Sequence, residues 1–283
     1  MPTYKLEAIV LRAREYGETD RLVTLLDRDG VRRTALAKGV RRPRSSLAAG
    51  LQPFTYSRLL LWRGRSLDGI SQVRVIDGLR GLREDLHAFA AATYVAELAE
   101  AFTQEGAPSP GVFNVVLGVL RALAASRGDA DTQALLLRHA EMRLLDLAGV
   151  GIELDRCLAC GKELGPGHPP AGYSAELGGA VCAACRPGRP GASPLDPAAW
   201  QVLRRARSPA LQAVLRLRVE PEVMRRAAEV TATHLVYNLG RPFRSPAFLA
   251  ILGEVKEGGP VRAPEAGSGA GAAAGDGQRR DGP

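Results

Sequence analysis

The four cysteines of the chain fall as Cys157-Leu158-Ala159-Cys160 and Cys182-Ala183-Ala184-Cys185, two C-x-x-C pairs separated by 21 residues. Each pair can present two thiolates on one tight turn, and the intervening segment lets the second pair complete a tetrahedron around Zn²⁺. Six glycines in that segment suit a small ribbon with little core of its own. Four unrelated thiols, or a disulfide pair, would also account for the residue types. Zinc is the stronger reading, because no cysteine is left over and the spacing is that of a zinc ribbon. With all four ligand positions supplied by protein, the ion is structural and leaves no open position for catalysis.

No enzyme constellation accompanies the cysteines. There is no G-x-S-x-G, and Gly161-Lys162 lacks both the upstream glycine and the following hydroxyl of a phosphate loop. His87, His139, His168 and His234 stand far apart, and the acidic pairs Glu84-Asp85 and Glu97/Glu100 read as solvated helix faces. The chain is therefore expected not to be an enzyme.

A different chemistry is carried by Lys38-Gly39-Val40-Arg41-Arg42-Pro43-Arg44-Ser45-Ser46, which sets four cations and two hydroxyls in one loop. Guanidinium forks match phosphate oxygens, and serine hydroxyls add neutral donors. Arg32 and Arg33 just before it, and Arg21 beyond a turn at Tyr16, could extend the patch. The aromatics able to stack bases are Tyr16, Phe54, Tyr56 and Trp62, of which Phe54 and one of Tyr56 or Trp62 are expected in the core. Few stacking platforms and many arginines predict backbone reading, weak sequence preference and steep salt dependence.

Charge placement agrees. The chain has 283 residues and a net charge of +8. Residues 1–80 hold 16 Lys and Arg against 8 Asp and Glu, so that segment carries the whole excess and the remainder balances. A basic N-terminal region on a neutral remainder points to a polyanionic partner at that end, the plainer alternative being a solvated Arg-rich surface. The start shows no signal-peptide pattern and no apolar run approaches a membrane span. Zinc-spaced thiols then place the protein in a reducing cytoplasm, without a membrane partner.

The elements that must position these residues change character near Gly78. Before it, strands are predicted over Glu7–Arg12, Arg21–Leu26, Val31–Lys38, Phe54–Trp62 and Leu67–Ile76, with a hairpin at Asp29-Gly30. Five short strands, a long central connection and a basic bias predict a small barrel of the OB kind, with an SH3-like barrel fitting the count almost as well. After it, helices are predicted over Leu82–Phe102, Val112–Ala125 and Thr132–Ala148, then from Asp196 to Arg207 and from Pro221 to Leu239, with a short last one opening at Ser245-Pro246. Helices flanking the cysteines should pack together, making the ribbon an insertion. The fold expected is α+β: an N-terminal OB-fold β-barrel over 1–79, followed by an α-helical domain over 80–256 with a four-cysteine zinc ribbon inserted at about 153–188. A Gly/Ala/Pro-rich tail over 257–283 reads as disordered.

Several of these segments resemble one family in order along the chain. Tyr16-Gly17-Glu18-Thr19-Asp20-Arg21-Leu22-Val23-Thr24-Leu25, Lys38-Gly39-Val40-Arg41-Arg42-Pro43 with Ser45-Ser46-Leu47, and Gln52-Pro53-Phe54 are similar to the N-terminal signature of the bacterial recombination mediator family RecO. The run from Arg143 to Gly149 leading into Leu154-Asp155-Arg156-Cys157, and Leu239-Gly240-Arg241-Pro242-Phe243-Arg244-Ser245 with Phe248-Leu249, resemble its central and C-terminal segments. The resemblance implies an OB fold, a helical domain and an inserted ribbon. It implies DNA repair by homologous recombination: binding single- and double-stranded DNA, annealing complementary strands coated with single-stranded-DNA-binding protein (SSB), and acting with RecR to help load RecA.

By the same resemblance Lys38, Arg41, Arg42 and Arg44, with Arg21 and Arg33, are DNA contacts, and Cys157, Cys160, Cys182 and Cys185 are metal ligands. SSB would be met through its acidic C-terminal tail, in an apolar pocket rimmed by a cation, for which Arg121, Arg138 and Arg143 are candidates. Where many relatives carry a proline before the first cysteine pair, this chain has Gly151-Ile152-Glu153. The competing reading is a zinc-ribbon nucleic-acid adaptor of transcription or RNA processing, which would need a basic and aromatic ribbon; Lys162 and Tyr173 are nearly all it offers. A nuclease would need clustered carboxylates, and the basic loop has none.

Overall fold

Strand β1 (Thr3–Tyr16) is 14 residues long and does two jobs. Its first half pairs antiparallel with β4 (Tyr56–Trp62), and its second half pairs antiparallel with β2 (Asp20–Asp27), across a bulge between Val10 and Arg12. β2 continues into β3 (Arg32–Ala37), and β5 (Asp68–Asp77) pairs antiparallel with β4 and parallel with β3. The result is a closed barrel in the order β1-β2-β3-β5-β4. That Greek-key closure, with its one parallel pair, is the OB arrangement, and it decides against the SH3-like alternative. The computed structural model describes residues 2–245; the helix expected to open at Ser245-Pro246 and the tail expected over 257–283 lie outside the described residues, apart from Ser245 itself.

The period-2 alternation of β1 builds two interiors. Ala8 and Val10 point inward with Val23, Leu25, Leu59 and Leu61 to fill the barrel. Ile9 and Leu11 point outward and, with Leu26, Phe54 and Tyr56, join the core of the helices. One barrel face is thus covered, and cations elsewhere on it are left to solvent.

Helix α1 (Gly81–Glu84) is separated from α2 (Leu86–Phe102), where the sequence predicts one continuous helix. The cause is Asp85, whose Oδ1 accepts from the N–H groups of His87 and Ala88 at 2.9 and 3.2 Å and so starts α2 as its N-cap. Such a cap contributes about 1 kcal/mol. α3 (Val112–Ser126) and α4 (Ala130–Leu147) follow, α4 capped in the same way by Asp129. Then come three short strands, β6 (Gly172–Ser174), β7 (Gly179–Val181) and β8 (Ser193–Pro194), in the order β7-β6-β8. α5 (Pro197–Ala206), the four-residue α6 (Leu211–Val214) and α7 (Pro221–Leu239) complete the described chain. Asp196 caps α5 as the sequence predicts, and Gly240 ends α7 in a left-handed conformation. The sequence gives no sign of α6, because four residues are too few to show a period.

α4, α5 and α7 pack on one another across the cysteine segment, so the ribbon is an insertion between packed helices. Its Leu154, Cys157, Tyr173 and Val181 are buried in the same core as Leu144 of α4 and Trp200 of α5. The Trp200 indole N–H donates to the carbonyl of Leu154 at 2.8 Å, satisfying the one polar atom of a fully buried side chain. None of the helices among the described residues is long and apolar enough to cross a membrane.

Candidate nucleic-acid interface and metal centre

The basic loop is held down by its apolar residues and presents its charged ones. Val40, Leu47 and Leu51 are buried in the barrel core, while Lys38, Arg41, Arg42 and Arg44 between and beside them are exposed. Two tethers fix the near end to the β1–β2 turn. The Asp20 carboxylate accepts the Gly39 N–H at 2.7 Å, and the Thr19 carbonyl accepts the Arg41 N–H at 2.9 Å. The Gly39 amide, with help from Thr19, Lys38 and Arg42, holds the Asp20 carboxyl below the usual carboxylate range. Gly39 takes a φ of +63°, a left-handed turn that a side chain would strain.

The six predicted cations differ in their freedom. Lys38 stands over the outward face of Trp62, its Nζ 5.7 Å from the ring centre. Arg42 and Arg44 have no carboxylate partner among the described residues, and Arg41 reaches Glu15 at 3.1 Å on the surface. Arg21 lies at the barrel mouth in the inward register of Val23 and Leu25, half-buried. Arg33 is tied into the fold: its Nε donates to Asp27 at 2.7 Å, and Asp27, 1 % exposed, also accepts the N–H groups of Asp29 and Val31. Arg32 does not extend the patch. It turns the other way and donates to the Glu100 carbonyl of α2, joining barrel to helices.

Of the four aromatics, both Phe54 and Tyr56 are buried, edge-on to Phe89 and Phe113. The exposed Tyr16 remains for stacking, whereas the half-buried Trp62 already has Lys38 over its ring. Trp62 lies flat on Gly69, where a Cβ would fall 2.1 Å from the ring. Past Trp62 the β4–β5 loop adds exposed Arg63 and Arg65, which the sequence reading assigns only to a turn. The sign is there in Arg63-Gly64-Arg65: on an OB barrel that loop belongs to the ligand-binding rim. Arg63 packs over Tyr4, and the Tyr4 hydroxyl donates to Asp68 at 2.5 Å, fixing the loop.

The four cysteine Sγ atoms all lie within 4.8 Å of one another. Both pairs sit on tight turns. In the first, the Cys157 N–H donates to the Lys162 carbonyl at 2.7 Å and Gly161 closes back on Cys157 at 2.8 Å; in the second, Arg186 closes on Cys182 at 3.0 Å. The Cys182 N–H donates to the Cys157 sulfur at 3.3 Å. Burial would raise the Cys157 thiol, but N–H groups of Cys182, Ala159 and Cys160 outweigh it and bring it to about 6. Cys185 is pushed up to about 12 by hydrogen bonding with the Cys182 and Cys160 sulfurs. Four sulfurs gathered this closely, with amides aimed at the buried one, are compatible with a tetrahedral divalent ion.

The ribbon is stapled to α7. The buried Tyr173 hydroxyl donates to Nδ1 of His234 at 2.8 Å, and Nε2–H of His234 donates to the Val150 carbonyl at 2.7 Å. His139 similarly donates from Nδ1 to the Ala206 carbonyl at 2.9 Å. Burial lowers the pKa of both rings below the ordinary 6.5, so both are neutral in the fold. Unfolded, they take up protons below about 6.5, so their contribution is full above that pH and is lost as pH falls through their lowered native values. The urea midpoint is expected to fall between pH 7 and pH 5, and His139→Gln/His234→Gln should flatten that dependence. An unchanged slope in the double variant would show that other groups set it.

Among the candidates for a cation beside an apolar pocket, Arg121 is paired with Asp77 and Arg143 with Asp146. Arg138 differs. It lines a cavity of about 890 Å³ between α4 and α7, walled by Leu135, Leu137, Leu217 and Met224, with Arg218 at the rim.

An OB barrel with a tethered basic loop, packed on helices that carry a four-cysteine ribbon, has the make-up of a polyanion-binding protein. The chain belongs to the RecO family of DNA repair proteins. Residues 1–79 match the family model described as Recombination protein O N terminal, and residues 83–247 the one described as Recombination protein O C terminal. The DNA repair protein RecO of Desulforudis audaxviator is 39 % identical over 253 residues, 89 % of this chain and 98 % of that protein. Those of Pelotomaculum thermopropionicum and Anaeromyxobacter sp. are 38 % identical over 258 residues and 35 % over 255, covering 91 % and 89 % of this chain and 98 % of each relative.

Proposed function

We propose that this chain is a non-enzymatic recombination mediator, which binds single- and double-stranded DNA through its barrel and anneals complementary strands coated with SSB. In this reading it acts with RecR to assist RecA, in the cytoplasm and at the nucleoid. One observation carries it: Lys38, Arg41, Arg42 and Arg44 are held exposed on a loop pegged by Val40 and Leu47 to an OB barrel. A cationic surface of this kind neutralises phosphates and releases their counterions, lowering the repulsion between two strands. Residues 1–79 form the DNA-binding unit, with Arg21 and Arg33 at its margin, and 80–256 the helical unit, its ribbon at about 153–188 holding a structural Zn²⁺. The cavity beside Arg138 takes the acidic C-terminal tail of SSB, with Leu135, Leu137 and Met224 as its apolar wall and Arg218 as the exposed cation at its rim.

The adaptor reading is disfavoured by Tyr173. It is the ribbon's one Phe, Tyr or Trp, and it is 1 % exposed and bonded to His234, so no base can stack on it.

Annealing of complementary oligonucleotides pre-coated with the cognate SSB tests the proposal. Arg41→Ala/Arg42→Ala/Arg44→Ala should slow annealing at least about tenfold and flatten the dependence of log K on log salt by about 0.7 per lost contact. Absence of annealing by zinc-loaded wild type would sink the mediator reading. Annealing that survives the triple substitution would move the DNA path off this loop.

A further inference from the structure

A second cationic surface lies far along the chain, where the net charge is zero. From Pro197 to Val219 there are five arginines (Arg204, Arg205, Arg207, Arg216 and Arg218) and no acidic residue. They line two clefts of about 510 and 410 Å³. The first is bounded by Asp155, Gln201, Arg204, Arg205, Arg207 and Ser208, and the second by Gln201, Arg205, Arg216 and Arg218 among others. Gln201 and Arg205 belong to both, so the clefts are the two sides of one ridge.

The cations on this ridge are of two kinds. Arg204 is oriented by Asp155 at 2.8 Å and lies over the Trp200 ring at 4.9 Å; Arg207 is oriented by Asp146 at 3.2 Å. Arg205, Arg216 and Arg218 are exposed and have no carboxylate within ion-pair distance among the described residues. Neighbouring α7 shows the contrast. There Arg225 is paired with Glu222 and Glu229, and Arg226 with Glu222 and Asp196. The helix dipole favours Arg204 and Arg205 in the last turn of α5, but it offers nothing to Arg216 and Arg218 beyond α6.

We infer that this ridge is a second binding site for a sugar–phosphate backbone, separate from the barrel loop. Unpaired guanidinium groups with Gln201 and Ser208 as neutral partners suit phosphates, and the second cleft adds apolar Ala198, Val202 and Val223 with Glu220 as its one carboxylate. An acidic peptide with an apolar end finds its complement instead in the adjoining Arg138 cavity, which shares Leu217 and Arg218 with the second cleft. The ridge packs through α5 on α4 and α7, whereas β1 of the barrel packs on α2. One chain then holds two strands at once, one on each surface. The inference deepens the strand-pairing proposal and rests on it for its purpose, though the site is tested independently.

The test uses the full zinc-loaded chain and two non-complementary oligonucleotides bearing donor and acceptor dyes. Wild type should bind both strands per chain. Arg205→Ala/Arg216→Ala, two exposed and unpaired positions, should keep one strand and lose roughly tenfold in affinity for the other, with the salt slope of that step reduced by about 0.7 per arginine. The barrel triple variant should also keep one strand. Two strands bound by the ridge variant, or only one bound by wild type, would overturn the ridge site. Two strands bound by the barrel variant would overturn the barrel site instead and leave the ridge to be judged by its own substitutions.

Discussion

Removal of zinc with a strong chelator is expected to lower the melting temperature by about 10 °C or more and to open residues 153–188 to proteolysis. The size follows from how the ribbon is packed. Cys157 is 0 % exposed and shares one core with Leu154, Tyr173, Val181 and Trp200, so an ion held there would also fix the Tyr173–His234 and Trp200–Leu154 hydrogen bonds. Structural zinc is worth about 10–16 kcal/mol in finger peptides. Even a third of that, at about 2–4 °C per kcal/mol for a chain of this size, gives the shift stated. The barrel has its own core and should outlast the helices, so unfolding of the metal-free chain should split into two steps. Cys157→Ser should behave as the chelated protein does. One zinc released per chain and a fall in melting temperature would establish the site; a metal-free protein with an unchanged transition would remove zinc from the account.

The ribbon is legible in the sequence because its cysteines are few and their spacing brings all four together. The barrel is legible because its strands alternate and Asp29-Gly30 marks a hairpin, although the 14-residue reach of β1 is not. Nothing local in Thr3-Tyr4-Lys5 says that it will pair with β4, a contact nearly sixty residues away. The Asp85 break is hidden for the opposite reason: the apolar period runs through it, and only the capping geometry shows the interruption. At the candidate interface the loop cations stand out by type and crowding. Their partners do not, and partners decide freedom. Arg32 and Arg33 look alike in sequence, yet one donates to the carbonyl of Glu100 and the other to a buried carboxylate. The arginines from 204 to 218 vanish when charge is summed over the whole remainder, where acids elsewhere in residues 81–283 cancel them on paper but not in space.

Glu141→Ala is expected to cost about 3–5 kcal/mol, the largest effect of any single substitution away from the cysteines. Glu141 is buried on α4, and its Oε1 accepts from the Tyr94 hydroxyl at 2.7 Å and from Arg138 at 2.5 Å. Burial and the adjacent carboxylate push the Tyr94 hydroxyl well above its ordinary pKa, so it stays a donor at all working pH. The arginine side chain is 9 % exposed, and its Nε has no partner among the described residues. Alanine at 141 would strand that cation in an apolar wall. Arg138→Met/Glu141→Leu removes both charges and should return stability to within about 1 kcal/mol of wild type, since a buried pair gains little over well-packed apolar groups. Urea midpoints of the three proteins check this. The recovery separates stability from function: the double variant, folded, should lose affinity for a labelled acidic SSB tail peptide if Arg138 is the cation that tail meets. Tail binding that survives in the double variant would leave the pair a purely structural feature of α4 and move the SSB contact to another face of the helices.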